Sequence, residues 1–150
     1  MVENEYVLFR ALQGEATIGY VAGMVDAEGY IGLCVIHNRR GVKSVSKVLQ
    51  ITNTNMEALA FCQKVIGGNI NRTGCTTKPC WALRIANGES ILRALKILYP
   101  YLIVKREIAK LMIEFCESRD ANYAKPFVTR EMEIVTEMKK LNEKGKGRDV

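Results

Sequence analysis

The stretch from Thr17 to Leu33 reads Thr-Ile-Gly-Tyr-Val-Ala-Gly-Met-Val-Asp-Ala-Glu-Gly-Tyr-Ile-Gly-Leu, and it constrains the fold more than any other part of the chain. Ile18, Val21, Ala22 and Val25 fall at i, i+3, i+4 and i+7, the spacing of one apolar stripe on a helix. Gly19 and Gly23 interrupt that helix four residues apart, and each costs about 1 kcal/mol against alanine. Close approach of a second helix backbone would offset that cost. Asp26-Ala27-Glu28-Gly29 ends the helix, with Gly29 expected in the left-handed conformation that stops helices. The apolar run Tyr30 to Ile36 follows at once, as a strand. Two carboxylates therefore sit at a helix C-terminus, where the macrodipole disfavours negative charge, and a nearby cation is expected to compensate.

The rest of the chain follows a regular order. Residues before Gly14, with Tyr6-Val7-Leu8-Phe9 among charges, read as a short helix or arm. His37-Asn38-Arg39-Arg40-Gly41 is a basic turn. From Val42 to Asn53 the sequence alternates, Val45, Leu49 and Ile51 pointing one way and Ser44, Ser46, Gln50 and Thr52 the other. Thr54-Asn55-Met56-Glu57 fits a capping box opening a helix that buries Leu59, Cys62, Val65 and Ile66 and ends at Gly67-Gly68. A hairpin is expected from Asn69 to Thr73 and Cys80 to Ile85, with Trp81, Leu83 and Ile85 inward and Arg84 outward. Further helices are expected from Asn87 to the stop at Pro100, from about Val104 to Glu117, and from about Pro126 to Leu141. Helix, two strands, helix, two strands and then helices make an α+β chain with helices on one face of an antiparallel sheet.

With 150 residues the chain suits one domain spanning 1–150, its polar end from Asn142 to Val150 frayed. A hydrophobic share of 48% and a charged share of 25% place it among globular rather than disordered chains. The net charge of +6 favours a polyanionic partner. No apolar run approaches a membrane span. Glu3 and Glu5, with no basic segment beside them, argue against a secretory signal. The five cysteines, Cys34, Cys62, Cys75, Cys80 and Cys116, are an odd number that suits a reducing interior. An intracellular place, prokaryotic cytoplasm or an organelle, is expected. Cys75 and Cys80 have half the spacing pattern of a zinc site, but no second pair follows and His37 is the single histidine. Packing is the expected role of most of these thiols.

Val21-Ala22-Gly23-Met24-Val25-Asp26-Ala27-Glu28-Gly29 resembles the LAGLIDADG signature of homing endonucleases. Both glycines, the alanine after the first residue and the acid-x-acid-Gly ending coincide. Val21, Met24, Val25 and Ala27 depart mildly from the consensus, and Glu28 stands where the consensus has Asp. Leu49-Gln50-Ile51-Thr52 and Pro100-Tyr101-Leu102-Ile103-Val104-Lys105 are similar to the second-strand and post-proline lysine segments of the family's single-motif members. The resemblance in layout covers nearly the whole chain. It implies an α-β-β-α-β-β-α core whose saddle-shaped antiparallel sheet rides on DNA.

The resemblance also implies a chemistry. With one motif copy, the site is completed by homodimerisation through Gly19, Ala22 and Gly23, bringing two Glu28 carboxylates together beneath a long, near-palindromic target. The implied reaction is Mg²⁺-dependent hydrolysis of both DNA strands, with Mn²⁺ or Ca²⁺ substituting in binding. Glu28 is the implied metal ligand, assisted by the Ala27 carbonyl. For Asp26 two roles stand, as a neighbour of the metal or as a capping or interface acceptor. Lys105 matches a lysine near the scissile phosphate, with Arg106 adjacent, and Asn53 stands where relatives place a water-organising glutamine. For DNA reading, Gln50 pairs with adenine, while Arg84, Arg72, Arg39 and Arg40 read guanine or hold phosphates. Ser44, Ser46 and Asn38 are lesser contacts. Tyr30, Cys34 and Ile36 give the same face an apolar lining, which meets thymine methyls or else marks a strand register shifted by one. The alternative function is a catalytically inactive relative, a DNA-binding regulator or a maturase acting on intron RNA.

Overall fold

A computed structural model describes residues 14–40, 43–74 and 77–146. The Tyr6-to-Phe9 arm and Cys75 lie outside the described residues. The first helix, α1, spans Glu15–Glu28. Its apolar stripe is driven inward, Val21, Ala22 and Val25 exposing no surface. It passes directly into strand β1, Gly29–His37. Gly29 is not left-handed, as the sequence suggested, but extended, with φ −86° and ψ 158°. Glycine is required there for a different reason: a Cβ would collide with the Val25 carbonyl, to which the Gly29 N–H donates.

A hairpin leads to β2, Lys43–Asn53. Helix α2, Met56–Ile66, is capped by Asn55, whose side chain accepts the Ala58 N–H at 3.1 Å. The cap is thus one residue later than the expected Thr54 box. Gly67 and Gly68, with φ of 77° and 95°, take left-handed conformations that carry the chain off the helix. Strands β3, Asn69–Thr73, and β4, Cys80–Ile85, form the second hairpin. Asn87 caps α3, Gly88–Leu98, by accepting the Ser90 N–H. A 3-10 turn, Tyr99–Tyr101, then absorbs Pro100. Helices α4, Arg106–Ala121, and α5, Thr129–Lys146, complete the described chain. Each starts two or three residues later than expected and ends four or five later.

The four strands pair antiparallel in the order β1-β2-β4-β3. Ile31, Leu49, Ile51, Leu83 and Ile85 point to one side, where they share a core with Leu59, Leu95, Leu98, Met112, Phe115 and Ile134 of the helices. The expected α+β layering, helices on one face of an antiparallel sheet, is the architecture found. Cys62 and Cys116 are packing residues, and burial pushes their thiols up to about 11.

The polar segment from Asn142, read as a frayed tail, is helical to Lys146. Asn142 donates its side-chain N–H to the Ile31 carbonyl of edge strand β1 at 3.1 Å. That anchor pairs residues 111 positions apart, which no local pattern reveals.

Glu131 on α5 is the one fully buried charge among the described residues. It accepts from Ser118 Oγ at 2.6 Å, from Arg119 Nη1 at 2.8 Å and from the Val128 N–H at 3.3 Å. Burial pushes its carboxyl up, but those hydrogen bonds and the Arg119 charge outweigh it and hold the group below the usual carboxylate range. A lowered native pKa means the stabilisation is complete above the unfolded value of about 4.3 and is lost as pH falls through the native one. Removing one partner of a buried ion pair costs about 3–5 kcal/mol. Glu131→Gln is therefore expected to lose about 3 kcal/mol in urea unfolding at neutral pH, with the gap to wild type closing as the pH is taken below the carboxylate range.

Candidate functional site

Alternation in β1, β2 and β4 that buries one set of side chains necessarily presents the other on the far side of the sheet. The register aligns Tyr30 with Gln50, Gln50 with Arg84, and Arg84 with Asn69, so one row crosses all four strands. Toward the β1–β2 turn, Cys34 faces Ser46 and Ile36 faces Ser44. The apolar lining by Tyr30, Cys34 and Ile36 is therefore real and no register shift is present. Gly32 on the same face leaves room for the Tyr30 ring, which lies where a Cβ at position 32 would be. Gln50 is half-buried and donates to Thr52 Oγ1 at 3.3 Å, while Arg84, Ser44 and Ser46 are exposed. Arg39 and Arg40 are exposed in the turn, where Asn38 Oδ1 accepts the Arg40 N–H at 3.0 Å.

Arg72 does not join this face. It lies opposite Trp81, on the side of β3 shared with Ile70 and the helices. Its place corrects the expectation, and the reason is the two-residue period of the strand. Asn69 and Asn71 take the outer positions of β3 instead, opposite Arg84 and Ala82. The alternation Asn69-Ile70-Asn71, with its single apolar residue, is the signal in the sequence that points to them.

The second part of the site is the C-terminal end of α1. Glu28 is its last residue, exposed, its carboxylate without a hydrogen bond or ion pair among the described residues. Ala27 beside it is exposed too. The cation expected at this helix end is Lys105, whose Nζ donates to the Asp26 carbonyl oxygen at 2.8 Å. Asp26 is committed elsewhere: Oδ2 accepts the Ile103 N–H at 2.8 Å and Oδ1 the Lys105 N–H at 2.9 Å. Of the two roles open to Asp26 the structure has the capping one, and both its oxygens are engaged by backbone donors. Arg106 stacks its guanidinium over the Tyr99 ring at 5.2 Å and turns to a neighbour instead. Asn53, at the end of β2, spends its Oδ1 on the Asn55 N–H at 2.7 Å and shapes the turn into α2. No trio of His, Cys, Asp or Glu gathers among the described residues. A hard divalent cation fits this donor set, since such ions bind through one or two carboxylates plus phosphate and keep several waters.

The third part is the outer face of α1. Ala16, Tyr20, Gly23 and Ala27 are exposed at i, i+4, i+7 and i+11, with Gly19 beside them. A Cβ at Gly19 or Gly23 would meet nothing within 4 Å. Tyr20 meets Phe61 of α2 edge-on, ring centroids 5.3 Å apart. Ala22, expected on this face, is fully buried on the opposite one and belongs to the core.

No protein-family model matches the sequence, and no curated protein matches it. Solved structures do. The homing endonuclease I-CvuI, in complex with its target in the presence of Ca, superposes with a TM-score of 0.65 at 21% identity, over 83% of this chain and 80% of that one. The archaeal intron-encoded homing endonuclease I-Vdi141I, complexed with DNA, gives 0.70 at 19% identity, over 83% and 82%. The I-SmaMI LAGLIDADG homing endonuclease, bound to cleaved DNA, gives 0.66 at 21% identity, over 81% of this chain and 42% of that one. The chain has the fold of the LAGLIDADG homing endonucleases.

Proposed function

We propose that the protein is a site-specific DNA endonuclease that works as a homodimer and hydrolyses both strands of a long, near-palindromic duplex. The observation that carries this reading is the exposed, unpartnered Glu28 carboxylate at the end of α1, at the same helix end to which the Lys105 ammonium is tied. An acid left free at the negative end of a helix is unfavourable for the protomer alone. It becomes favourable once a cation and a phosphate complete its surroundings. Similar folds carrying DNA, as in I-CvuI and I-Vdi141I, support a duplex as the partner.

The outer sheet face supplies recognition. Gln50 offers the paired donor and acceptor that match adenine, and Arg84 beside it offers the fork that matches guanine. Asn69 and Asn71 extend that polar row, while Arg39 and Arg40 suit phosphates, with Ser44, Ser46 and Asn38 as lesser contacts. Cys34 and Ile36 offer apolar contact to thymine methyls. A dimer carries twice the chain's +6, which makes binding strong and salt-sensitive.

At the helix end, Glu28 would hold Mg²⁺, with Mn²⁺ or Ca²⁺ able to take its place in binding and the Ala27 carbonyl close by. When bound, such an ion polarises a phosphate oxygen and makes a water more acidic. Lys105 holds positive charge where negative charge develops on the phosphoryl oxygens. In the net reaction the water oxygen bonds to phosphorus, one P–O ester bond breaks, the water gives up a proton and the departing oxygen takes one. Dimerisation through Gly19 and Gly23 brings the second copy of these groups to the other strand.

A randomised-duplex library with Mg²⁺ tests the reaction. Wild type is expected to cut one long near-palindrome. Losing even an outer partner of a metal ligand costs about 10- to 100-fold, so Glu28→Gln is expected to lose more than about a hundredfold in cleavage while retaining target binding. Binding by both proteins with cleavage by neither would leave a DNA-binding regulator or splicing helper as the function. Sedimentation of Gly23→Leu tests the dimer. Within the protomer the new side chain has open space and gains up to about 1 kcal/mol of helix propensity. It is expected to sediment as one folded chain where wild type sediments as two; a variant that sediments like wild type removes this helix face from the interface.

A further inference from the structure

The segment joining the 3-10 turn to α4 is an unusual place for precision. Ile103 and Val104 expose 84% and 75% of their surface and so hold nothing by packing. Leu102 is buried and donates its N–H back to the Tyr99 carbonyl, which secures one end. The other end is secured by a carboxylate 77 and 79 residues upstream, with the Ile103 and Lys105 N–H groups both donating to Asp26. Lys105 is the residue that caps α4, and its own carbonyl accepts the Ala109 N–H. Its side chain turns back to the Asp26 carbonyl, so two hydrogen bonds join the two residues. A lysine has more rotamer freedom to lose than almost any other residue, and here both its backbone and its head are tied to a single partner.

We infer that Asp26 is the positioning residue for Lys105: its carboxylate fixes the 103–105 backbone, and through it sets where the Lys105 ammonium is presented at the helix end that carries Glu28. Division of labour within the Asp26-Ala27-Glu28 triplet follows. The first acid faces inward and orders a loop, and the second faces outward, free for a cation. Asparagine at position 26 keeps one acceptor but sets an N–H₂ against the other backbone donor, so one arm of the clamp must open.

The inference rests on the nuclease reading only for its kinetic arm, and a second arm is independent of activity. In single-turnover cleavage, Asp26→Asn is expected to fall by about ten- to a hundredfold, the scale of a displaced reacting group, with target affinity unchanged. Lys105→Met sets the comparison. If Asp26 acts through Lys105, adding Asp26→Asn to Lys105→Met costs nothing further, whereas multiplicative losses overturn the inference. The independent arm uses hydrogen exchange of the Ile103 and Lys105 amides, and the NMR signal of Lys105 after reductive ¹³C-methylation, in the protein without DNA. Both are expected to change in Asp26→Asn while α2 and α3 amides do not. Unchanged exchange and an unchanged methyl signal overturn the inference whether or not the protein cuts DNA. Should the asparagine variant fail to fold, Asp26→Ala removes both acceptors without placing a donor against the loop and gives the same readouts. If wild type cuts no duplex but these signals move, the nuclease reading fails and the positioning role stands.

Discussion

Burial of Val21, Ala22 and Val25 fixes how α1 is rotated about its axis, and the functional geometry follows from that rotation. With those three side chains inward, Ala16, Tyr20, Gly23 and Ala27 must face outward, and the end of the helix must emerge at the edge of the sheet. Because Gly29 continues straight into β1 against the Val25 carbonyl, the same rotation also sets which residues of β1 face the helices. Tyr30, Cys34 and Ile36 then fall on the far face, and the hairpin register carries the choice across to Gln50 and Arg84. A one-residue slip anywhere in this chain of constraints would exchange the core face for the polar one. The core forbids it, since Ile31, Leu49, Ile51 and Leu83 would all become exposed.

Electrostatics at the helix end works against this arrangement, and the structure answers it with tertiary contacts. Two acids in the last turn oppose the macrodipole. Asp26 is relieved by two backbone donors and by the ammonium tied to its own carbonyl. Glu28 receives no such relief among the described residues. The asymmetry between two acids of nearly the same chemistry, two positions apart, separates a group engaged within the fold from one left to solvent.

Most of the layout was legible because it is written in local periods. The stripe in α1, the alternation in β2 and β4, and the asparagine and glycine signals around α2 and α3 each need only a few neighbouring residues. What escaped was set at long range. The Lys105 amide at the start of α4 is held by Asp26, and α5 is anchored by a contact with Ile31. Ala22 is instructive, since its place in the buried stripe was readable and already excluded it from the outer face. Arg72 was misread because β3 has one apolar residue to fix its phase, and the charge alone suggested the polar side. For the site, Glu28 and Lys105 came from the motif and its companion segment, while Asn69 and Asn71 had only the alternation around Ile70 as a signal until pairing with β4 placed them.

The bond from Asn142 to Ile31 bears on how the chain is made. Strand β1 lies at the margin of the sheet, and its β2 partner follows immediately, so this hairpin is available early in synthesis. Its free margin carries unpaired backbone groups that would template the addition of a foreign strand. The helix that reaches it carries a contact 111 positions downstream, so on a ribosome that margin stays uncovered until α5 has emerged. Nascent chains stalled before α5 would therefore be prone to aggregate, and α5 acts as the seal on a sheet completed long before it.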